Sequence, residues 1–98
     1  MGSSRPQPAR LAAKLLRIRA CLSLTQKQMV KRLKSERSNL TVYPGNISRF
    51  EQGQREPPLL VLLAYARIAG VTIDMLVDDD LDLPDSLTKA GQKRLRRT

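Results

Sequence analysis

At 98 residues the chain has the length of one small domain, and a hydrophobic content of 41% closes a core only if nearly every large aliphatic takes part. Tyr43, Phe50 and Tyr65 are its three aromatics, so the core falls to Leu, Ile, Val, Ala and Met, a mixture that suits packed helices better than sheets. A net charge of +9 favours a polyanionic partner, while a single cysteine, Cys21, excludes an intrachain disulfide, and the lack of His excludes a Cys/His zinc site.

The charge is unevenly spread. Residues 1–73 carry thirteen Lys and Arg against three Glu, residues 74–89 carry six Asp against one Lys, and residues 90–98 carry four further Lys and Arg. No apolar run approaches the ~20 residues that a membrane span needs, and the opening MGSSRPQPAR has no apolar stretch of the secretory kind, so a cytoplasmic chain without a membrane partner is expected. Nothing resembles catalytic apparatus: there is no Gly-rich phosphate loop and no carboxylate pair outside the Asp run, and neither an enzyme nor a cofactor is expected.

Residues 1–8, rich in Ser, Pro and Arg, read as a basic arm, either a polyanion contact or a solvated terminus. Over 9–22, Leu11, Leu15, Ile18 and Leu22 recur at helical spacing while Arg10, Lys14, Arg17 and Arg19 occupy other faces, which predicts an amphipathic first helix. Thr25 caps a second helix in a capping box with Gln28, running through Met29, Val30 and Leu33 to about Ser35. SERSNLTV over 35–42 has no hydrophobic period and reads as an extended loop. Pro44 suits the first position of a third helix over 44–52, closed by Gly53.

Glu56-Pro57-Pro58 resets the chain, and LLVLLAYARIAG predicts a buried fourth helix ended by Gly70. Thr72 caps a short fifth helix from Ile73 to Leu76 or Val77. The remainder switches from acidic to basic with isolated leucines and reads as a tail over 79–98, in which a helix over 86–97 would bring Leu87 and Leu95 to a partner subunit.

LSLTQKQMVKRL followed by NISRFEQGQREPPLLVLLAYARIAGVTIDML resembles the Cro/lambda-repressor (Xre-like) helix-turn-helix proteins over about residues 11–77. Thr25-Gln26, Ile47-Ser48-Arg49-Phe50-Glu51 with Gly53, the Arg55-x-Pro57 turn and the Leu-rich helix ending Ala69-Gly70-Val71 carry the likeness. It implies an all-α, five-helix lambda-repressor-like DNA-binding domain over 9–78, with an extended loop between helices two and three and a flexible charged C-terminal tail. Roughly seven extra residues, about 35–41, depart from the family's tight turn; they bulge outward if Val42 and Tyr43 take the places of the apolar turn residue and the helix cap. Lys34, Arg37, Ser38 and Asn39 then stand beside the expected DNA surface, as phosphate contacts or as a tolerated loop.

In that architecture helix three enters the major groove, and the resemblance puts Tyr43, Pro44, Gly45, Asn46, Ser48 and Arg49 on or near its reading face. Asn46 pairs with adenine and Arg49 with guanine, unless they are a plain helix-start residue and a solvated charge; Pro44 and Gly45 permit close approach. Gln26 at the start of helix two binds phosphate, with Lys27, Gln52, Gln54, Arg55 and Tyr43 as further backbone contacts. Ile47 and Phe50 belong to the core, packed on Met29, Val30 and Leu62 or Leu63. Gly53 and Pro57 shape the following turn. By resemblance Glu51 pairs with Arg19 and orients it toward a phosphate, with an ordinary surface salt bridge as the alternative. The implied partners are double-stranded DNA, a second copy of the chain in a homodimer, and, on a competing antitoxin-like reading, a protein held by the tail. RNA is disfavoured if all three aromatics are buried.

Overall fold

The computed structural model describes residues 7–85 and 87, and among them there are five helices and no strand: α1 Leu11–Cys21, α2 Gln26–Glu36, α3 Pro44–Glu51, α4 Leu59–Ala69 and α5 Ile73–Val77. The expected all-α architecture is present, with helix ends within two residues of those read from periodicity and caps. No helix among the described residues is long and apolar enough to cross a membrane.

α4 is the central element. Val61, Leu62, Ala64, Tyr65, Ala66, Ile68 and Ala69 are all buried, more than one stripe of the helix, because it is packed on several sides by α1, α2 and α5. The other helices each contribute one face: Leu11, Leu15 and Ile18 from α1, Met29, Val30 and Leu33 from α2, and Ile47 and Phe50 from α3. Burying each such large apolar side chain is worth about 1.5–3 kcal/mol, which is why these positions, rather than helix propensity, hold short helices in place.

The turns close with related geometry. After α3, the Gly53 amide bonds to the Phe50 carbonyl and the Gln54 amide to Arg49, with Gly53 at φ +74°. After α4, Val71 reaches back to Ala66 around Gly70 at φ +76°. This doubled back-bonding satisfies the last carbonyls of a helix and needs a left-handed residue. α1 ends the same way, with Ser23 bonded to Ala20 and Leu24 to Arg19, but here Ser23 carries the positive φ of 58°. A Cβ in that conformation is strained. Ser23→Gly relieves the strain, less the glycine's extra freedom in the unfolded chain, and is expected to raise stability by about 0.5 kcal/mol in thermal denaturation; a lower melting temperature would show that the Ser23 side chain stabilises the turn.

Thr25 and Gln28 form the expected capping box, the hydroxyl accepting the Gln28 amide at 3.1 Å and the Gln28 amide oxygen accepting the Thr25 N–H at 2.8 Å. Thr72 does not cap α5 with its side chain; its hydroxyl donates to the Asp74 carboxylate instead. The inserted loop does not simply bulge outward. Leu40 packs back against the core and Val42 is buried, so the C-terminal end of the insertion is tied down while Ser38, Asn39 and Thr41 face solvent.

The segment from residue 79 departs from the expected tail. The Asp79 carboxylate accepts the Ala9 amide at 2.9 Å and the Arg10 amide at 3.0 Å, so it satisfies donors at the start of α1 that have no helical partner. The Arg10 guanidinium bonds to the Asp79 carbonyl and to the Asp82 carboxylate, and Arg17 reaches the carbonyls of Leu83 and Pro84. Between them Lys14, 4% exposed, donates to the carbonyls of Met75 and Asp78 at 2.8 and 3.0 Å. Arg10, Lys14 and Arg17 fall on one side of α1, and residues 78–84 lie along it as an acidic strap. Leu83 and Leu87 are buried in the core, which takes Leu87 away from the partner contact envisaged for it. Residues 1–6 of the basic arm, Leu95 and nearly all of the helix expected over 86–97 lie outside the described residues.

The amides of Arg10 and Ala9 hold Asp79 below the ordinary carboxylate value of 3.8, and the hydrogen bond from Arg10 does the same for Asp82. Because the folded-state values are lowered, the strap's contribution is complete above the ordinary value and is lost as pH falls through the folded ones. The amides of Ala9, Arg10 and Leu81 are therefore expected to lose hydrogen-exchange protection below pH 3.8 before those of α4 do; simultaneous loss would mean that strap and core open as one unit.

Candidate nucleic-acid interface

α3 is seated from beneath by Ile47 and Phe50, fully buried and 3% exposed respectively, within the cluster that includes Met29, Val30 and Leu62; Leu63 is only half-buried. Its C-terminal end is locked by an ion pair. Glu51, with a side chain only 5% exposed, accepts Arg19 Nε at 2.6 Å and the Arg19 terminal nitrogen at 2.9 Å, while a second Arg19 nitrogen donates to the Leu24 carbonyl at 2.9 Å. The expected Arg19–Glu51 pair is thus present and is bidentate and largely desolvated, unlike an ordinary surface bridge. Beneath it lies Tyr65, wholly buried, its phenol pushed above the ordinary tyrosine range first by burial and then by the Glu51 charge.

The start of α3 is built by its own sequence. Pro44 occupies the first helical position, where its missing N–H costs nothing, and Asn46 Oδ1 accepts the Tyr43 N–H at 2.9 Å. Asn46, expected as a leading reader of bases, is a half-buried helix-start residue with its amide oxygen engaged. The Tyr43-x-x-Asn46 spacing, three residues apart at a helix start, was the signal for this.

Tyr43, Pro44, Gly45, Arg49 and Gln52 are exposed on the outer side of α3, and a Cβ added at Gly45 would meet nothing within 4 Å. Arg49 makes no side-chain hydrogen bond or ion pair among the described residues, so five donors in a planar fork are available. Ser48 is half-buried and its hydroxyl accepts Gln52 Nε2 at 2.7 Å; Gln52 in turn accepts Gln54 Nε2 at 3.0 Å, which makes a ladder of three polar side chains beside Arg49.

Of the residues expected to meet phosphate, Lys27, Gln52, Gln54 and Arg55 are exposed. Gln26 and Arg19 are turned inward: Gln26 Nε2 donates to Glu51 at 3.3 Å, and Arg19 spends three donors on Glu51 and Leu24. Both are half-buried parts of the clamp that holds α2, α3 and the first turn together, which leaves Lys27 as the solvent-facing cation at the start of α2. In the insertion, Arg37 is half-buried, whereas Lys34 is exposed with its ammonium 5.6 Å from the centre of the Tyr43 ring. Tyr43 itself is 60% exposed, so only two of the three aromatics are in the core, a correction to the burial of all three. Gly53 and Pro57 shape the turn after α3 as expected, Gly53 by its positive φ and Pro57 by burial.

The surface so formed is an eight-residue helix with its inner side fixed by apolar packing and an ion pair, its outer side open, and cations at Lys27, Lys34, Arg49 and Arg55 around it. Such a surface offers hydrogen-bond donors to an acidic partner and can be inserted into a concave one. Comparison with family models, with curated proteins and with solved structures finds no match for this chain.

Proposed function

We propose that the protein binds double-stranded DNA with sequence preference, that α3 is its major-groove helix within a lambda-repressor-like fold, and that it serves as a cytoplasmic transcriptional regulator, most simply a repressor. The observation that carries this reading is the two-sidedness of α3: Ile47, Phe50 and Glu51 hold it rigidly while Arg49, Gln52 and the low-profile Pro44-Gly45 pair project outward among cations. A helix of that kind fits the width of the major groove, where a guanidinium fork pairs with guanine. One short helix contacts few bases, so a homodimer on two half-sites completes the proposal.

The competing reading, a protein-interaction subunit that uses its C-terminal segment, loses one of the two leucines envisaged for a partner, since Leu87 is buried in the chain's own core. Selection from random duplex DNA decides between them. Enrichment of a palindromic motif that vanishes in Arg49→Ala supports the proposal, and binding that falls steeply with salt marks the phosphate contacts. Enrichment of nothing, with co-purification of a protein partner, overturns it.

A further inference from the structure

Tyr43 is the one aromatic that the fold leaves outside, and the reason is geometric. Tyr43 is in extended backbone, where neighbours point to opposite sides, and Val42 at 1% exposure turns inward, so Tyr43 at 60% turns out. Its side chain has no duty at the helix start, because Asn46 supplies the bond that joins the helix to the Tyr43 amide. The ring is nevertheless placed, with the Lys34 ammonium 5.6 Å from its centre, a cation–π contact that joins the end of α2 to the start of α3 across the insertion. Next to it Pro44 and Gly45 form a low shelf, with open space around Gly45, so another molecule can approach the ring closely.

We propose, resting on the reading of α3 as a major-groove helix, that Tyr43 is a specificity-determining residue that packs its ring on the methyl group of a thymine at the edge of the site, steadied by Lys34. The major groove displays one apolar group, the thymine 5-methyl, and covering an exposed aromatic ring against it is favourable where covering it against a base edge of donors and acceptors is not. The insertion acquires a purpose in this arrangement: it carries the chain from Lys34 to Tyr43 so that cation and ring meet beside α3.

The test uses the full chain and the duplex motif recovered by selection, with deoxyuridine replacing thymidine one position at a time, which deletes only the methyl group. The wild type is expected to lose about fourfold in affinity at one edge position, the factor that burial of a single methyl corresponds to. Tyr43→Phe keeps that sensitivity and Tyr43→Ala abolishes it, with circular dichroism showing both variants folded. If Tyr43→Phe falls as far as Tyr43→Ala, the hydroxyl is bonding a phosphate and the proposal is overturned. A flat uracil scan while Arg49→Ala still destroys the motif overturns this inference alone, whereas no motif from selection removes the major-groove reading and this inference with it.

Discussion

Glu51→Ala is expected to lose about 3 kcal/mol of stability, which for a chain this short is on the order of 15 °C in melting temperature. The Glu51 carboxylate is the meeting point of three elements, receiving two bonds from Arg19 of α1 and one from Gln26 of α2. Its removal leaves the guanidinium of Arg19, whose side chain is 19% exposed, with only the Leu24 carbonyl as partner. A charge desolvated for a partner it no longer has costs about 3–5 kcal/mol, and the lower figure applies because Arg19 keeps that bond and some water. Glu51→Gln, which keeps the shape and one acceptor, should fall between the two. Arg19→Met combined with Glu51→Leu should recover most of the loss, since apolar replacement of both partners removes the orphaned charge. Urea denaturation measures all three; a loss under 1 kcal/mol for Glu51→Ala would place the pair with ordinary exposed bridges.

The second large effect separates neighbours on α3. Phe50→Ala deletes a ring that is 3% exposed in the core and should cost about 3–5 kcal/mol, enough to leave a small domain marginal. Arg49→Ala, one residue away on the open side, should change stability by no more than about 0.5 kcal/mol and, on the proposed major-groove reading, weaken duplex binding by about 1–3 kcal/mol. Thermal denaturation and duplex binding measured on the same preparations resolve the two. Loss of binding by Arg49→Ala at a temperature where the domain is intact assigns the effect to the interface, and equal destabilisation by both variants would contradict the division of α3 into a seated side and an open one.

The helices were legible because each carries both a period and a punctuation mark. Leu11, Leu15 and Ile18 mark a face, the Thr25–Gln28 box opens α2, and Gly53 and Gly70 close α3 and α4 at positive φ. The Arg19–Glu51 pair came through resemblance alone, as nothing in the spacing of two residues 32 apart announces it. What the Asn46 amide can do to a base is legible in its type, while its oxygen's bond to the backbone N–H three residues back lay unread in the Tyr43-x-x-Asn46 spacing. The strap was illegible for a different reason: a run of aspartates has no hydrophobic period, and its partners, the first amides of α1 and the side chains of Arg10 and Arg17, are some 70 residues upstream. Local pattern contains no record of contacts at that range.

That separation has a kinetic side. Strap contacts such as those of Arg10 with Asp79 and Asp82 join residues 69 and 72 apart, so each depends on closing most of the chain into a loop, whereas the turns that cap α1, α3 and α4 close within a few residues. Bonds of this kind form late, after the helices have assembled the surface on which they lie. Weakening them should accelerate unfolding and leave the folding rate nearly unchanged, so the acidic strap governs how long an assembled molecule stays folded rather than how quickly it forms.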